Sequence, residues 1–117
     1  MKHVAYFGDG EKTFALTPAM IRELEQKTGT GFGALYRKFA GNQFAYGDII
    51  EVIRLGLVGG GTAPIDAQRL VDTYAHNRPI LETLPLAFDI LDARYVGKVE
   101  TVSQPDDQPD QKEEAPE

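Results

Sequence analysis

Asp48-Ile49-Ile50-Glu51-Val52-Ile53-Arg54-Leu55-Gly56-Leu57-Val58, closed by Gly59-Gly60-Gly61, is the stretch on which the fold turns. After Asp48 only Glu51 and Arg54 interrupt its apolar character. A helix lying on a protein surface shows one apolar stripe, whereas a helix that is apolar nearly all round is surrounded by other elements. The reading is therefore a central helix that starts at Asp48 or just before it. Gly56 costs such a helix about 1 kcal/mol relative to alanine, which points to a close backbone crossing. The triple glycine ends the helix, and mobility is its simplest meaning.

Working outward toward the amino terminus, Phe32, Leu35, Tyr36, Phe39 and Ala40 recur at helical spacing, and Gly41-Asn42 ends that segment. Before it, Thr17 is a good N-cap and Pro18 suits a first helical position. The helix they open runs to about Thr28, buries Met20, Ile21 and Leu24, pairs Glu23 with Lys27, and stops at Gly29. At the start of the chain, His3–Phe7 and Lys12–Leu16 flank Gly8-Asp9-Gly10-Glu11, a hairpin signature. A lone two-stranded ribbon is marginal in water, so it must lie on the helices.

Toward the carboxyl end, a helix from Pro64 to His76 turns Ala67, Leu70, Val71, Tyr74 and Ala75 inward. Pro79 opens a fifth segment with Ile80, Leu84, Phe88, Leu91 and Tyr95 at helical spacing, and Pro85 predicts a kink or restart within it. From Thr101 onward Pro, Gln, Asp and Glu dominate, and such a composition cannot offset its ordering entropy by burial. The expected class is mostly α (α+β): one domain, residues 1–100, with an N-terminal β-hairpin packed on about five short helices. A disordered acidic tail, residues 101–117, follows.

Charge and composition narrow the chemistry. Residues 1–100 carry 11 basic and 12 acidic side chains, whereas residues 101–117 carry one lysine and six acids. Neither part has the basic footprint of a nucleic-acid binder. The chain has no cysteine, and its two histidines, His3 and His76, stand without ligand spacing. No apolar run reaches a membrane-spanning length and no secretory leader precedes the hairpin, so a soluble, unexported protein is expected.

The residues that could carry chemistry each have an ordinary structural role. Gly29-Thr30-Gly31-Phe32-Gly33 lacks the preceding strand and the Lys-Ser/Thr of a phosphate loop, and reads as a helix–helix connection. Asp89 and Asp92 lie three apart near Arg94, without a matching acid–histidine set, and read as solvated helix charges. Ser103 is the only serine and has no histidine placed beside it. No catalytic, cofactor or metal residue is assigned. Most of the aromatic residues Phe32, Tyr36, Phe39, Phe44 and Tyr46 are core by type, yet Phe44 and Tyr46 fall outside the periodic pattern. These five form the candidate partner-facing patch.

The order of features resembles the gene-transfer-agent and phage tail-assembly chaperone family. The resemblance rests on Phe7-Gly8-Asp9-Gly10 with Phe14-Ala15-Leu16-Thr17, on Ile21-Arg22-Glu23-Leu24-Glu25, and on Phe32-Gly33-Ala34-Leu35. It continues through the Asp48–Gly61 stretch, Leu70-Val71-Asp72 and the final Pro79–Gly97 segment. It implies a non-enzymatic protein without cofactors, working in the bacterial host cytoplasm. Its partners would be the tail tape-measure protein, kept soluble, and the tail tube protein, recruited around it. Neither nucleic acid nor membrane is an expected partner. The alternative is a structural minor tail protein retained in the particle.

Overall fold

The computed structural model describes residues 1–97. The expected acidic tail, residues 101–117, lies outside the described residues. Strands β1 (His3–Phe7) and β2 (Gly10–Phe14) precede helices α1 (Pro18–Thr28), α2 (Phe32–Ala40), α3 (Tyr46–Gly59), α4 (Pro64–Tyr74) and α5 (Ile80–Asp92). A π-helical turn, Ala93–Gly97, continues α5. The mostly α architecture with an amino-terminal hairpin is the one expected.

The second strand begins at Gly10 rather than Lys12, because the turn is Gly8-Asp9. Phe7 stands opposite Gly10, Ala5 opposite Lys12, and His3 opposite Phe14. Gly8 has φ of 69°, as a two-residue turn with glycine first requires. The Tyr74 ring occupies the place of a Gly8 Cβ, and Lys12 Nζ lies 2.7 Å from the Asp9 carboxylate. Ring packing and ion pair together favour this turn.

Helix α3 is the centre, packed by α1, α4, α5 and β2. Ile49, Val52, Ile53, Leu55 and Leu57 are buried on it, meeting Phe14, Leu24, Val71 and Leu91 from the surrounding elements. The glycines at its end do not form a mobile loop. The Ala15 N–H donates to the Gly56 carbonyl at 2.9 Å, and Cβ atoms on Gly59 and Gly60 would fall on the carbonyls of Ala15 and Thr13. Only backbone without side chains permits this approach. Gly56 itself lies under Ile90 and Phe14, the crossing its position implied.

Helix α1 has the expected ends: Thr17 Oγ1 accepts from the Met20 N–H at 3.3 Å, and Gly29 closes the helix at φ 66°. Glu23 turns to Arg54 at 3.4 Å instead of to Lys27. Arg54 is held from its own helix by Glu51 at 2.7 Å, so one guanidinium ties α1 to α3.

Helix α5 departs from expectation in the face it buries. It runs unbroken through Pro85, with no restart. The carbonyl that Pro85 cannot bond belongs to Leu81, which is 80% exposed, so water can satisfy it. Its core face is Thr83, Ala87, Ile90 and Leu91. Of the expected stripe only Leu91 is buried; Leu84 and Phe88 are half-buried, and Ile80 and Tyr95 are exposed. Small residues let α5 approach α3 closely, which rotates the larger ones to the flank beside α2.

Candidate functional site

That flank, the seam between α2 and α5, carries the candidate site. From α2 come Phe32 and Tyr36; from α5 and its π-turn come Phe88 and Tyr95. Tyr36 and Tyr95 stack with ring centroids 4.0 Å apart, Phe88 stacks on Tyr36 at 5.4 Å, and Phe32 on Tyr95 at 6.4 Å. Tyr95 and Val96 stay 52% and 63% exposed. Farther along the seam Phe39, Ala40, Leu84, Pro85 and Phe88 line an open groove of about 280 Å³.

Polar contacts fix the geometry of this face. The Tyr36 hydroxyl donates to Asp92 Oδ1 at 2.7 Å. That hydrogen bond, with burial second, raises the phenol pKa above its ordinary value. At the amino end of α2 the Phe32 N–H donates to Glu25 Oε2 at 2.8 Å, so a carboxylate from α1 occupies the donor that a phosphate loop would offer. Gly29, Thr30 and Gly31 are the helix–helix connection, and Phe32 and Gly33 open α2.

The five sequence-derived residues divide between two places. Phe32 and Tyr36 lie in the aromatic stack. Phe39 is 3% exposed and belongs to the core, so it shows the groove only a sliver of ring surface. Phe44 is half-buried against Phe39, with centroids 5.5 Å apart, and is not the exposed anchor its loop position suggested. Tyr46 is the first residue of α3 rather than part of the connection, and it lies elsewhere. Its hydroxyl stands 2.6 Å from His76 Nδ1 and 3.2 Å from the His76 carbonyl oxygen, while His76 Nε2 faces Asp72 at 3.6 Å. This contact joins the end of α4 to the start of α3.

Sequence reasoning omitted Phe88 and Tyr95 from the patch by assigning them to the core. The signal that separates them is Thr83 and Ala87: a second stripe of small residues beside the large one. Asp89 faces His3 at 3.8 Å, and Asp92 holds Tyr36. Among the described residues no three His, Asp or Glu side chains converge as a metal-binding group, and no helix is long and apolar enough to cross a membrane.

A family model described as "Phage tail tube protein, GTA-gp10" matches residues 1–97. No curated protein and no solved structure gives a match.

Proposed function

The chain belongs to the GTA-gp10 phage tail tube protein family, and we propose that it serves tail morphogenesis as an assembly chaperone. It is a phage or gene-transfer-agent tail-related protein; the escort role is our reading. The carrying observation is the α2–α5 seam, where an aromatic stack with exposed Tyr95 near one end leads through Phe88 into an open, mostly apolar groove. An apolar helix laid into such a groove is shielded from water until a competing surface displaces it. We assign the tape-measure protein as the helix-bearing partner and the tube subunit as the competitor, both met in the cytoplasm of the bacterial host. The role needs no catalysis and no cofactor.

The family's description favours a second reading, a component of the tail that stays in the particle. Two measurements separate the readings. Co-expression with the tape-measure protein should keep that protein soluble, and Phe32→Ser with Tyr95→Ser should abolish this while leaving helicity unchanged. Unaltered capture by the double variant removes the seam as the contact. Mass spectrometry of purified particles should find the chain absent; a fixed copy number would establish the structural role instead.

A further inference from the structure

The two edges of the hairpin differ. A two-residue turn flanked by the Phe7–Gly10 pair points the main-chain groups of Phe7, Ala5 and His3 toward β2, and those of Val4 and Tyr6 away from it. On β2 the outward groups belong to Glu11 and Thr13, and Ala15 follows in the same sense. Ala15 bonds Gly56, and Gly60 stands against the Thr13 carbonyl, so α3 closes that edge. Along β1, no backbone hydrogen bond among the described residues uses the outward groups of Val4 or Tyr6. Their side chains are 39% and 74% exposed. Proline, a bulge or an edge lysine would blunt such a strand, and none interrupts Val4-Ala5-Tyr6.

We propose that a second copy of this chain docks on this edge, β1 against β1 in antiparallel register centred on Ala5, giving a four-stranded sheet in the order β2-β1-β1-β2. The edge is self-complementary in this register. Val4 falls opposite Tyr6 of the second copy, and the same pair recurs across the two-fold axis. Their outward N–H and C=O groups meet as hydrogen-bonded pairs, and each contact is β-branched against aromatic, a favourable cross-strand combination. Ala5 meets Ala5, so nothing bulky sits on the axis. Lys2, which is exposed, comes opposite Gly8 of the second copy and beside its Asp9, whose side chain is 62% exposed. No like charges oppose one another along the pairing, since each outer row reads Glu11, Tyr6, Val4, Thr13. Slipping the register by two residues sets Val4 against Gly8 or Tyr6 against Lys2 and loses the match.

Sedimentation velocity of the full chain between about 1 µM and about 500 µM should show a reversible monomer–dimer equilibrium. Val4→Lys with Tyr6→Lys sets lysine against lysine twice and should weaken association at least about tenfold, with the circular dichroism spectrum unchanged. Val4→Glu with Tyr6→Lys sets opposite charges face to face and should retain the dimer. Should the double-lysine chain fail to fold, Ala5→Cys decides in this cysteine-free sequence: the axis places the two introduced thiols within disulfide reach, and oxidation should give a covalent dimer. A monomer at every concentration, a dimer indifferent to the lysine pair, or no cross-link would each overturn the proposal.

Discussion

Gly60 has no Cβ, and for that reason the end of α3 can rest on the main chain of β2. Adding one methyl there drives it into the Thr13 carbonyl, a backbone atom that cannot swing aside. Gly60→Ala should destabilise the protein by about 3 kcal/mol, the upper range for overpacking, with urea unfolding as the measurement. A change of similar size at the exposed Gly47 meets nothing within 4 Å and serves as the control. Tyr36 is a second residue whose neighbour decides its behaviour. Its phenol pKa is raised, first by the hydrogen bond to Asp92, so the folded state favours the protonated phenol. The associated stability is present below the ordinary tyrosine pKa of about 10 and is lost as pH rises through the higher folded value. Tyr36→Phe should therefore melt at a lower temperature than the parent at pH 8, and the gap should close or reverse at strongly alkaline pH. A gap independent of pH would assign the contact no part in the titration.

Helix α5 shows how an element can be recognised while its orientation is misread. The apolar spacing from Ile80 to Tyr95 marks a helix, but period alone does not say which of two adjacent stripes faces the core. Thr83 and Ala87 take the buried side because α3 leaves little room there, and Thr83 satisfies its hydroxyl on the Ile80 carbonyl at 3.3 Å. The boundaries of α1 were legible because Thr17, Pro18 and Gly29 each have a local physical role that no tertiary contact overrides. The hairpin was legible as well, though its turn position was not, since Tyr74 comes from a distant part of the chain. Pro85 lies on the exposed side of α5 and removes one bond to the Leu81 carbonyl. Intrinsic propensity puts proline about 3 kcal/mol below alanine inside a helix. Part of that is already relieved by solvation of the freed carbonyl, so Pro85→Ala should stabilise by about 1 kcal/mol, seen as a higher melting temperature. A lower melting temperature would mean that proline packing in the groove outweighs the missing bond.

For the whole molecule, α3 packs against α1, α4, α5 and β2, and Phe14, fully buried, joins the hairpin to it. Hairpin and helices should therefore unfold together in a single urea transition, with the same midpoint by circular dichroism and tyrosine fluorescence. Phe14→Ala should lower that midpoint by the equivalent of about 3–5 kcal/mol. Separate transitions would show the hairpin to be an independent unit. The central helix could be read from Asp48–Val58 because burial on all sides leaves an unmistakable composition. The α2–α5 seam could be read only in part: its α2 half stands in a clear period, while its α5 half depends on how closely two helices approach, which no local pattern records.

The carboxylate that Glu25 extends to the Phe32 N–H spans the connection between α1 and α2 like a clasp of set length. Exposed connections ordinarily tolerate an extra residue at small cost. This one should not, because lengthening residues 29–31 carries the start of α2 out of reach and swings Phe32 away from Tyr95. Variation in the length of that short segment is thus a gauge of whether a related chain retains the aromatic face at all.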